Sequence, residues 1–108
     1  MQKYINLFIV LTYINSTDLI DFLKSTKNVI GSFKVIVVNS YHDDITKKKI
    51  ETIAYENNCD FLNVENKGYS YGNNRGIQYA LEHYEFDYIT VSNADIIIKN
   101  IILIIYQI

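Results

Sequence analysis

The chain has 108 residues, 49% of them hydrophobic and 20% charged, with a formal net charge of −2. That length bounds it to one domain, residues 1–108, with a modest core, and the slight acidity leaves no basic footprint for nucleic acid. Its single cysteine, Cys59, excludes an internal disulfide and fits a reducing cytoplasm, where it would serve as a small buried hydrophobe.

The opening "MQKYINLFIVLTY" lacks a small-residue cleavage site and is expected to be a strand, not a signal peptide. Ile5 to Thr12 is a continuous apolar run rich in β-branched residues, the pattern of a strand buried on both faces. Asn15 or Ser16 can cap a helix from about Thr17 to Asn28, where Leu19, Ile20, Phe22, Leu23 and Thr26 recur at helical spacing. Gly31 fits just past its end. "FKVIVVN", Phe33 to Asn39, is a second buried strand. Asp43 or Asp44 can cap a second helix running to about Asn57, with Ile50, Ile53 and Ala54 inward and Lys47, Lys48 and Lys49 as a solvated face.

Phe61 to Val64 is a short third strand. A glycine- and asparagine-rich segment, "NKGYSYGNNRG" at residues 66–76, leads into a helix expected from Tyr71 to His83, with Ile77, Ala80, Leu81 and Tyr84 inward. "FDYITVSNAD" supplies a fourth strand ending near Ser92. Strand and helix alternate without a hairpin signal, which predicts an α/β fold with an open, mainly parallel sheet of about four strands flanked by helices. The tail "IIIKNIILIIYQI" is apolar but interrupted by Lys99 and Asn100. It is shorter than the roughly 20 residues a membrane span requires, so no span is expected.

In such a sheet, ligands bind beyond the carboxyl ends of the strands. The polar residues gather there: Thr12, Tyr13 and Asn15 after the first strand, and Asn39, Ser40, His42, Asp43 and Asp44 after the second. The asparagine–glycine segment follows the third, and Asn93 and Asp95 follow the fourth. His42 is expected to be a loop histidine and His83 a solvent-facing one. The glycine segment is neither a dinucleotide fingerprint nor a P-loop. A turn and helix start explain Gly68 and Gly72, whereas Asn74 and Gly76 inside a helix suggest close packing against something, a ligand included.

The segment N-x-G-x-x-x-G-x-N-x-G between the third and fourth strands resembles the N-terminal half of family 2 glycosyltransferases of GT-A fold, nearest their rhamnosyltransferase-like branch. "IVLTYIN", "VIVVNSYHDD" and "DYITVSNAD" are similar to the family's other motifs in the same order, so the resemblance spans about residues 5 to 99. It implies a Rossmann-like, truncated GT-A domain that binds a nucleotide-diphospho-sugar together with a divalent metal, Mg²⁺ or Mn²⁺. Thr12 and Tyr13 would line the base pocket. Asn39 stands where the family usually carries a base-binding aspartate, and Ile14 stands in place of the asparagine of the T-Y-N motif. Asn66, Gly68, Asn74, Arg75 and Asn93 would line the donor, and Asp95 would hold the metal. Arg75 equally suits a surface ion pair with Glu82. Tyr69 or Tyr71 can flank the donor, although both equally suit packing.

The family's general base lies downstream of the metal motif, and no residue before Ile108 matches it. The resemblance therefore implies a donor-binding half whose acceptor half is absent, inactive or weakly active alone. The open sheet side predicts a homo-oligomer, with "IILIIYQI" covering an edge. The alternative is a non-catalytic remnant, or a small nucleotide-binding or oligomerisation module. A phospho-acceptor receiver domain also suits parallel α/β, but the acidic pair expected after its first strand is missing.

Overall fold

The computed structural model describes residues 1–99 and 101–102. The long apolar run near the N-terminus forms β1 (Gln2–Thr12), whose residues Asn6–Val10 are essentially inaccessible. Burial on both faces is what a near-continuous apolar strand requires. β1 lies at the centre of a four-stranded, all-parallel sheet with β3 (Phe33–Ser40), β4 (Asp60–Val64) and β5 (Tyr84–Asn93), in the order β4-β3-β1-β5. The expected α/β class and parallel sheet are thus met.

The connections divide the helices between the two faces. α1 (Ser16–Ser25) and α2 (Asp44–Glu56) cover one face through Leu19, Phe22, Ile50 and Ile53, which pack with Phe8, Val10, Val35 and Val37. Phe8 meets Phe22 and Phe33 edge to face, with ring centroids 6.3 and 5.8 Å away. α3 (Tyr69–His83) covers the other face, against Leu7, Ile9, Ile36 and Val38. The one buried side-chain amide within β1, Asn6, is satisfied by Thr90 of β5: its Nδ2 donates to Thr90 Oγ1 at 2.9 Å.

Several boundaries differ from the sequence expectation. α1 ends at Ser25, and Thr26–Asn28 continue as a 3₁₀ turn. α2 begins after Asp43, whose carboxylate accepts the Thr46 backbone N–H at 2.7 Å, so that cap is as expected. Asn15 occupies the N-cap position of α1, yet its side chain accepts from the Tyr13 N–H instead of capping. α3 begins two residues early, at Tyr69. Leu81 is 63% exposed, not inward, because the buried face of α3 runs through Gly72, Gly76 and Ala80, spaced four apart. Tyr84 belongs to β5 rather than to the helix, and is only partly buried.

A second, two-stranded parallel sheet was not anticipated: β2 (Val29–Ile30) pairs with β6 (Ile101–Ile102). That part of the tail therefore lies against β2 rather than along β5. The remainder of the tail expectation, residues 103–108, falls outside the described residues. Among the described residues, no helix is long and apolar enough to cross a membrane.

The glycine spacing of α3 has a packing cause. A Cβ built on Gly76 would lie 2.5 Å from Ile9 Cγ2 and 2.9 Å from Val38 Cγ2, and one on Gly72 would lie 2.6 Å from Leu11 Cδ1. These two glycines bring the helix down onto β1 and β3, so the partner of the close approach is the sheet, not a ligand. Gly68 differs: its φ of +95° at the N-cap is the left-handed conformation that glycine tolerates.

Candidate functional site

The chain leaves β1 toward β3 and β4 on one side, then returns through α3 to β5 on the other, so strand order reverses between β1 and β5. The crevice beyond the carboxyl ends of two such strands is where open α/β sheets bind ligands. Here Leu11 and Asn93 are register partners, and the Ala94 N–H donates to the Leu11 carbonyl at 3.2 Å. The ladder thus continues to the rim. A cleft of about 210 Å³ opens above it, lined by Leu11, Thr12, Tyr13, Asn15, Tyr69, Asn93 and Asp95. Six of the residues picked out in the sequence, Thr12, Tyr13, Asn15, Tyr69, Asn93 and Asp95, are brought together in it.

A second cleft of about 330 Å³ adjoins the first across Leu11, Tyr13 and Tyr69, and adds Ser40, Asn66 and Gly68. Ser40 Oγ donates to Asn66 Oδ1 at 3.0 Å, which fixes the loop after β4 against the end of β3. Tyr69, half exposed, stands where the two clefts meet and donates its hydroxyl to Asn93 Oδ1, tying the first turn of α3 to the end of β5. Its position follows from the early start of α3, which sequence spacing did not reveal. Tyr71 is half-buried, with the Lys67 ammonium 5.3 Å above its ring.

Thr12 and Asn39 sit beneath the rim, both fully buried. Thr12 Oγ1 donates to Asn39 Oδ1 at 3.2 Å, and Asn39 Nδ2 donates to Asn63 Oδ1 at 2.9 Å. The three are register partners on adjacent strands β1, β3 and β4. The result is a polar row across the sheet in which both ends of the Asn39 amide are engaged by protein.

Asn74 and Arg75 are exposed on α3 and line neither cleft. Arg75 instead borders a groove with Leu62, Gln78, Tyr79 and Glu82, on the β4 side of the helix. Their neighbour Asn73 is the buried amide of this stretch, and its Oδ1 has no hydrogen-bond partner among the described residues. Helical phase separates the three: successive residues rotate by about 100°, so only one of adjacent asparagines can face the sheet.

Tyr13 is held from two directions. Its N–H donates to Asn15 Oδ1 at 2.8 Å, and its hydroxyl lies 3.4 Å from His42 Nδ1, with the rings edge to face at 5.7 Å. His42 Nε2 is 3.6 Å from Asp43 Oδ2. The hydrogen bond from the Thr46 backbone holds the Asp43 carboxyl below the usual carboxylate range.

Among the described residues, no three of His, Cys, Asp or Glu cluster as a metal site. Asp95 is exposed at the cleft beside Asn93. One carboxylate is enough for Mg²⁺ when phosphate oxygens and waters complete the shell, so the residues fit a cation that arrives with a diphosphate. Cys59 lies at the opposite end of the sheet, where burial pushes its thiol up to about 11, away from any nucleophilic role at neutral pH.

Compared with known families, residues 7–100 match the model described as Glycosyl transferase family 2. The search of curated proteins found no match.

Proposed function

Since the chain belongs to glycosyl transferase family 2, we propose that the crevice between β1 and β5 binds a nucleotide-diphospho-sugar donor. The observation that carries this reading is the single cleft joining Thr12 and Tyr13 to Asn93 and Asp95 at the point where strand order reverses. The exposed ring of Tyr13 offers a face on which a base can stack. Asp95 would hold Mg²⁺ or Mn²⁺ against the diphosphate, with Asn93 as a neutral oxygen donor beside it. Bound there, the metal would supply charge neutralisation for the departing diphosphate.

Glycosyl transfer to a hydroxyl also needs a group that removes the acceptor proton, worth about 10²- to 10⁴-fold in rate. Asp95 is the sole carboxylate among the described residues lining the two clefts. This favours donor binding as the task of these residues, with transfer weak or absent when they act alone.

Calorimetry with nucleoside diphosphates, with and without Mn²⁺, tests the reading. Binding that requires Mn²⁺ in the wild type and is lost in Asp95→Ala supports it. Metal-independent binding that survives Asp95→Ala overturns the metal assignment, and silence toward every nucleotide overturns donor binding and favours a non-catalytic module.

A further inference from the structure

We propose, resting on the donor reading above, that His42 is a positioning residue: it fixes the Tyr13 ring as the wall shared by the two clefts. Tyr13 borders both clefts, and the residue is nearly half exposed. A tyrosine so placed at a loop tip would ordinarily sample several rotamers, and ordering it on ligand binding costs side-chain entropy. Here the ordering is done beforehand.

Three features converge on Tyr13. The next residue, Ile14, has a φ of 66°. A β-branched side chain adopts that conformation only when its surroundings hold it, and such strain gathers at functional sites. The Asn15 side chain clamps the Tyr13 N–H at 2.8 Å, fixing the backbone between them. His42 then holds the far end of the ring, by an edge-to-face contact and by Nδ1 at 3.4 Å from the hydroxyl.

The direction of that last contact follows from Asp43. Its Oδ1 accepts from the Thr46 N–H, and its Oδ2 faces His42 Nε2 at 3.6 Å. This distance is too long for a hydrogen bond but within electrostatic reach. A carboxylate there favours the proton on Nε2, which leaves Nδ1 bare as an acceptor for the Tyr13 hydroxyl. The α2 cap therefore selects the His42 tautomer, and the tautomer orients the ring on the loop after β1. Neither His42 nor Asp43 lines either cleft, so both act through Tyr13.

The test combines calorimetry and nitrogen NMR on wild type, His42→Phe, His42→Asn, Tyr13→Phe and the Tyr13→Phe/His42→Phe double variant. With Mn²⁺ and UDP, CDP, GDP or ADP, the diphosphate that binds tightest should bind His42→Phe about five-fold more weakly. His42→Asn, whose amide oxygen replaces Nδ1, should recover to within about two-fold. The double variant should be no weaker than either single variant, because the two act through one contact. In the nucleotide-free wild type, the NMR spectrum should show His42 with its proton on Nε2. Wild-type affinity in His42→Phe, additive losses in the double variant, or a proton on Nδ1 would each overturn this inference while leaving donor binding intact. A wild type silent toward all four diphosphates would overturn both.

Discussion

Thr12 Oγ1 donates to Asn39 Oδ1 at 3.2 Å inside a sheet from which water is excluded, and Asn39 passes the chain on to Asn63. The row starts at Thr12, in the lining of the crevice, and runs away from it across β3 and β4. Removing its middle member leaves the buried Thr12 hydroxyl only the longer contact to the Val38 carbonyl at 3.4 Å, while the exposed Asn63 turns to water. Asn39→Leu should therefore destabilise the fold by about 1 kcal/mol, the net worth of a buried hydrogen bond. Urea denaturation read by circular dichroism measures it. A change below about 0.5 kcal/mol would mean that the row contributes little to stability.

The two interior glycines of α3 should respond differently to alanine. At Gly76 the new methyl meets Ile9 and Val38, both fully buried and both β-branched, so neither can turn aside. Overpacking of that kind costs about 1–3 kcal/mol. At Gly72 the obstacle is the Cδ1 end of Leu11, which can rotate, and alanine recovers up to about 1 kcal/mol of helix propensity. Thermal melts should rank Gly76→Ala well below Gly72→Ala, and the reverse order would contradict the packing described for α3.

A carboxylate at the far end of the sheet sets the alkaline limit. Asp60 Oδ2 accepts from the hydroxyls of both Tyr79 and Tyr84. Burial, followed by the Asp60 bond, pushes Tyr79 up to about 12 and raises Tyr84 as well. Raised folded-state values mean that the unfolded chain loses these protons first, from about pH 10. The stabilisation is thus fully present below pH 10 and lost as pH rises toward about 12. The wild-type melting temperature should fall across that window, and more steeply than in Tyr79→Phe/Tyr84→Phe. Parallel wild-type and variant curves would show that the pair does not set the limit.

Strand and helix order, the buried β1 and β3, the Asp43 cap and the crevice were legible in the sequence because each rests on local pattern or on parallel-sheet topology. The inner face of α3 was not. Leu81 satisfies helical spacing as well as Ala80 does, and only the closeness of Ile9 and Val38 selects the small-residue stripe over the leucine. The same phase decides which asparagine is buried, Asn73 or Asn74, and turns Arg75 toward the β4 side. The part played by Tyr13 was legible in kind, but its tether to His42 was not, since that contact joins loops 29 residues apart. The short β2–β6 pair escaped notice because two residues carry no periodicity.

The pairing of β1 with β5 has a kinetic consequence. Gln2 meets Tyr84 and Leu11 meets Asn93, so β1 pairs on that side with the last strand of the sheet, across two intervening strands and all three helices. Contacts so distant in sequence are slow to close. The crevice, which needs Thr12 and Asp95 side by side, accordingly cannot form before β5 joins β1. Any transient detachment of β5 would dismantle it while β4, β3 and β1 remained paired.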